Sequence, residues 1–169
     1  MALPGAAHTF GIEGCRDLLG KLEWEIACFK AVNKPPELQY HAFNCAVTAW
    51  HLTDWVWRDL RRSKKTLPGE RLSDFKQSCA SQSPALHLCG FIANASKHGG
   101  VRVGEITTEV WVDAEPARVG DPVGQPLARS VWRVTVGADG YPERDAIDVF
   151  QEAFWYWTQR IYGQAIDVA

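Results

Sequence analysis

Apolar residues recur every three or four positions over most of this chain and every second position over one stretch beyond its middle. From Ile12 to Val32, the positions Cys15, Leu18, Leu19, Leu22, Ile26 and Phe29 keep helical spacing, which predicts a first helix with one apolar face. Asn33-Lys34-Pro35-Pro36 ends it, because proline cannot continue a helix and pushes the residue before it into extended geometry. A second helix is predicted over Glu37 to Arg62. Ala42, Phe43, Ala46, Val47, Ala49, Trp50, Leu52 and Val56 make it apolar almost all round, the pattern of a central helix. Glu37 in its first turn and Arg61 and Arg62 in its last suit the helix dipole. Leu67-Pro68-Gly69 reads as a turn, followed by a short amphipathic helix over Arg71 to Ala80. Ser83-Pro84 is a cap and first-turn pair that opens a further helix, apolar from Pro84 to Ala95 and stopped after His98 by Gly99-Gly100.

The period then changes. Val101 to Val112 and Arg129 to Val136 alternate with β-branched residues, so two antiparallel strands are predicted. Asp113 to Ala128 holds Pro116, Gly120, Pro122, Gly124 and Pro126, and reads as a long hairpin loop. Asp139-Gly140 is a turn. A last helix is predicted over Pro142 to Tyr162, with Ile147, Phe150, Phe154, Trp157 and Ile161 on one face. Residues 1–10 read as a loose leader and 11–169 as a single domain. The fold class expected is mainly α, a helical bundle of four main helices with a β-hairpin, at about 101–136, inserted before the last helix.

With 46% of its 169 residues hydrophobic and 22% charged, the chain can bury a sizeable core. A formal net charge of −2 argues against a protein that coats nucleic acid generally, so any phosphate contact has to be local. The five cysteines are odd in number and lack a CxxC pair, and Met1 to Phe10 has neither a basic start nor an apolar core. A reduced, cytoplasmic compartment is the simplest reading. No apolar run is long enough to span a bilayer, so no membrane partner is expected. Most of the eight tryptophans stand beside other apolar residues at helical or strand spacing, which predicts a core packed with large rings; the alternative is that some are half exposed, as a stacking platform or a partner surface. Cys15, Cys28, Cys45 and Cys89 fall on apolar stripes and read as small core residues.

Two polar stripes interrupt the apolar helices. His41, Asn44, Thr48 and His51 recur along the second helix, with Asp54 one turn beyond His51. His87, Phe91, Asn94 and His98 share a stripe of the later helix. Unpaired buried polar groups cost about 1–3 kcal/mol each, so the stripes are expected to face each other and pair. Three chemistries fit such residues. One is a structural network of His41, Asn44, Thr48, His51, Asp54 and His87. The second, a metal site, is disfavoured: no Glu-x-x-His falls on a core stripe and Asp54 is the one acid near the histidines. No metal and no cofactor are therefore predicted. The third is proton transfer on a phosphodiester by His98.

Ala93-Asn94-Ala95-Ser96-Lys97-His98 resembles the signature of the HEPN superfamily, in which Arg is followed by a polar residue, three variable positions and His. The spacing fits at Asn94 and His98, whereas Ala93 stands where the family has Arg. The resemblance implies an α-helical bundle, commonly dimeric, and RNA as substrate or partner. In that family the Arg handles the phosphate and the His acts on the sugar hydroxyl. A catalytic set here would comprise His98 and Asn94, with Lys97 as a substitute charge. The family also contains inactive members, and Ala93 favours that class.

A basic cluster, Arg58, Arg61, Arg62, Lys64, Lys65 and Arg71, is the second feature able to contact phosphate, and it equally fits a solvated helix end. Phosphate loops, nucleotide-binding glycine fingerprints and nucleophile elbows are absent. The leading expectation is a HEPN-like accessory or binding protein, homodimeric and RNA-associated. An RNA-cleaving enzyme using His98 is one alternative, and an interaction module with a structural His/Asn network is the other.

Overall fold

The computed structural model describes residues 10–63, 71–98, 106–116 and 128–163. It is mainly helical, with an antiparallel hairpin before the last helix. The elements in order are α1 (Cys15–Ala31), α2 (Glu37–Arg62), α3 (Leu72–Gln82), α4 (Pro84–His98), β1 (Ile106–Pro116), β2 (Ala128–Ala138), β3 (Tyr141–Asp145) and α5 (Ala146–Gly163). The expected leader over 1–9, the turn at 67–69, the stop at Gly99-Gly100, the strand start at 101–105 and the loop over 117–127 lie outside the described residues.

The periodicities place the helices well. All six predicted apolar positions of α1 are buried. The second helix has the predicted bounds and touches α1, α3, α4 and α5, as expected of a helix apolar nearly all round. Trp157 of α5 is fully buried, and its indole N–H donates to the Ala49 carbonyl of α2 at 2.9 Å. Removing such a ring costs about 3–5 kcal/mol. Phe29 of α1 meets Phe150 of α5 edge-on, with ring centroids 5.5 Å apart.

The start of α1 is held from a distance. Gly14 has no side chain to cap with. The buried Asp59 carboxylate of α2 accepts the Cys15 N–H at 2.8 Å, 44 residues away in sequence. A carboxylate there satisfies an orphan donor and complements the positive end of the dipole. Asp17 adds a local cap, accepting from the N–H groups of Glu13 and Gly14 at 2.9 and 3.1 Å.

The strands pair antiparallel as predicted, with Ile106 opposite Ala138 and Pro116 opposite Ala128. The first strand runs on through 113–116 and the second begins at Ala128, so both ends of the expected loop pair as strand. A third strand departs from the sequence expectation, which places Pro142 in the first turn of the last helix. Instead Tyr141–Asp145 pairs with β2 (Ala138 opposite Tyr141, Thr135 opposite Asp145) across the Asp139-Gly140 turn. Gly140, at φ +80°, takes the left-handed conformation that closes this turn. The helix starts after Asp145, whose carboxylate accepts the Ile147 N–H at 3.2 Å and binds Arg133 of β2 at 3.1 Å. A good N-cap residue thus outweighs the first-turn preference of Pro142. Val134 and Val136 of β2 turn into the core, laying the sheet against α2, α4 and α5.

Candidate functional site

A cleft of about 590 Å³ opens between α3, α4 and β3. Its walls include Trp50, Lys76, Gln77, Ser81, His87, Gly90, Phe91, Asn94 and Tyr141. The centre is His87, whose Nδ1 lies 2.6 Å from the Tyr141 hydroxyl. The imidazole stacks on Phe91, one turn further along α4, at 4.4 Å between centroids. Burial lowers the pKa of His87, because the half-buried ring loses hydration that the cation needs. At neutral pH it is therefore an uncharged donor and acceptor, paired with the Tyr141 hydroxyl.

The position of Trp50 follows from Gly90. A methyl group at residue 90 would stand 2.9 Å from two atoms of the Trp50 ring, so the indole lies directly on the α4 backbone. This contact forms the seam between α2 and α4 and one wall of the cleft. Lys76 of α3 reaches across the same ring, its Nζ 5.7 Å from the centroid, and binds Asp54 of α2 at 2.9 Å. The lysine of the cleft is thereby largely neutralised. The other polar side chains named in its walls are uncharged.

The expected polar network is distributed over several neighbours. Thr48 faces α1, where its hydroxyl accepts from the Lys21 ammonium at 2.8 Å; the same ammonium pairs with buried Glu25. Asn44 is exposed. His41 is half-buried, and its Nδ1 has no hydrogen-bond partner among the described residues. Asp54 pairs with Lys76, and His51 is half-buried. At the contact between α2 and α4 the Trp50 ring lies against Gly90. Of the predicted residues, the cleft gathers His87 and Asn94, while Tyr141, Lys76 and Trp50 were not anticipated. Gly90 in the middle of an apolar helix was the available signal of a close approach.

Within the HEPN-like motif, Ala93 is 1% exposed and packs in the core, whereas Asn94 beside it is exposed at the cleft. Lys97 and His98 lie in the last turn of α4, and their side chains are outside the described residues.

The basic cluster divides in two. Arg58 is committed to the fold: its guanidinium donates to the Glu13 carbonyl at 2.9 Å and to Asp59 at 3.2 Å, and stacks 4.1 Å over Trp55. Arg61 is exposed and lies 4.9 Å over Trp57, and Arg62 and Arg71 are also exposed. Lys64 and Lys65 lie outside the described residues.

A second, apolar groove of about 380 Å³ lies between α2 and β2, lined by Phe43, Ile92, Val134, Val136 and Phe150, with Gln39 at its edge. Among the described residues, no group of three or more His, Cys, Asp or Glu side chains could hold a metal ion. None of the described helices is long and apolar enough to cross a membrane. Comparison with protein-family models, with curated proteins and with solved structures finds no match.

Proposed function

We propose that this chain is a HEPN-like, non-catalytic binding protein that associates with RNA, a cytoplasmic homodimer built on a bundle of its four longer helices. The observation that carries the non-catalytic part is Ala93. The position corresponding to the motif's phosphate-handling Arg is sealed in the core, so an arginine there has no path to a substrate. Proton transfer by His98 alone lacks the charge stabilisation that usually supplies the larger share of phosphodiester catalysis. Binding is supported by Arg61 and Arg62, which are exposed and, among the described residues, have no buried carboxylate partner, unlike Arg58. The arrangement of arginine over tryptophan suits stacking as well as phosphate contact. The dimer is supported by Trp24 of α1 and Trp155 of α5, which are 64% and 60% exposed. Free cysteines throughout fit a reducing compartment.

The test is an RNA assay on wild type, His98→Ala and the triple variant Arg61→Ala/Arg62→Ala/Lys65→Ala. Wild type is expected to bind unpaired mixed-sequence RNA with an affinity that falls as salt rises, to lose affinity in the triple variant, and to leave the RNA intact. Sedimentation of the same samples reports the dimer. Fast cleavage abolished by His98→Ala would overturn the non-catalytic reading. Affinity indifferent to salt and to the three basic residues would leave an interaction module.

A further inference from the structure

We infer that the cleft around His87 and Tyr141 binds a single unpaired nucleobase, carried by an RNA strand or by a free nucleoside. The inference rests on the RNA reading for the first source and is independent of it for the second. The chemistry of the walls selects the ligand. Phe91, His87 and Tyr141, each half-buried, offer aromatic surface, which favours a flat ring system. Asn94 and Gln77 are exposed at the opening, and each carries donors and an acceptor side by side. Such amides match the mixed donor and acceptor edge of a base. His87, held neutral by burial, and the Tyr141 hydroxyl add two further neutral hydrogen-bonding groups 2.6 Å apart.

The cleft is poorly suited to the competing ligands. Its lysine is paired with Asp54, so it offers little to a free phosphate or carboxylate. Its polar groups would be left unpaired by a purely apolar guest, at a cost of about 1–3 kcal/mol for each that is buried. A volume of about 590 Å³ falls within the range of small-molecule sites. The phosphates of a strand would stay outside.

The experiment compares three probes: a short unpaired RNA, an abasic strand of the same length and charge, and the four free nucleosides. The proteins are wild type, Asn94→Ala and Ser81→Trp. Asn94 and Ser81 are exposed, and the introduced indole fills the cleft from α3. Melting curves verify that both variants fold. The expected result is that wild type prefers the RNA to the abasic strand by about tenfold or more, the range of one stacked base. Ser81→Trp should lose the part of that preference which the cleft supplies and Asn94→Ala should keep only a fraction of it, with the salt dependence unchanged. Equal, salt-dependent affinity of wild type for both strands, with no nucleoside bound, overturns the base site and leaves the RNA reading standing. Nucleoside binding that both variants abolish, without RNA binding, supports the site and defeats the RNA reading. A base preference undiminished in both variants overturns the site, and binding of none of the probes overturns both readings.

Discussion

Replacing Gly90 with alanine tests the contact on which the cleft is built. The added methyl would lie 2.9 Å from two ring atoms of Trp50 and 3.0 Å from a third. Trp50 is 7% exposed, so its ring has little room to retreat. Overpacking of this kind costs about 1–3 kcal/mol. Against it stands the helix preference for alanine over glycine, about 1 kcal/mol. The net expectation runs from neutral to about 2 kcal/mol of destabilisation. Gly20→Ala supplies the control. Gly20 is exposed within α1, and a methyl added there meets nothing within 4 Å, so it collects the preference without the clash. Denaturant or thermal unfolding of the two variants should therefore separate them by about 1–3 kcal/mol, equivalent to roughly 2–12 °C in Tm for a chain of this size. Adding Trp50→Leu to Gly90→Ala should recover much of the clash, seen as a coupling energy in the double-mutant cycle. If Gly90→Ala gains as much stability as Gly20→Ala, the ring does not rest on the α4 backbone and the cleft wall is misplaced.

Three further outcomes are expected. Asp59→Ala removes the remote cap of Cys15 and the partner of Arg58, so it should cost about 1–3 kcal/mol in denaturant unfolding; a change below a few tenths would refute the cap. Because the His87 pKa is lowered on folding, the unfolded chain takes up the proton first as pH falls through the ordinary value of 6.5. Wild type should therefore lose stability below that pH as it approaches the lowered folded value, and His87→Gln should show a shallower loss; identical pH profiles would refute the assignment. Burial pushes the Cys15 and Cys89 thiols up to about 12 and raises Cys45 and Cys79 as well, while Cys28 is only half-buried. Mass spectrometry after brief alkylation of the native protein should find Cys28 modified first, and early labelling of any of the other four would contradict the packing.

The helices were legible because a buried face imposes its period on the sequence. The bounds of α2 and the start of α4 could be read directly from Glu37 and Arg62 and from Ser83-Pro84. The third strand was not legible, since Tyr141-Pro142-Glu143-Arg144-Asp145 has no apolar alternation and its pairing depends on β2. The site was half legible. His87 and Asn94 stood out as polar residues on an apolar helix, but Tyr141 comes from a strand 54 residues beyond His87. Period tells which residues share a face, and not which neighbour that face meets: Thr48 finds Lys21 on α1, and Trp50 finds Gly90 on α4.

The edge-on pair of Phe29 and Phe150 has a consequence for how this protein is made. It joins the first helix to the last, across about 120 residues of chain. At ordinary synthesis rates of about 5–20 residues per second, Phe29 precedes its partner by about 6–24 s. Throughout that interval the apolar faces of α1 and α2 that close on α5 have no cover from it. The nascent chain therefore presents apolar surface to a chaperone throughout that interval, and slowing elongation between Phe29 and Phe150 should raise its aggregation more than slowing it before Phe29.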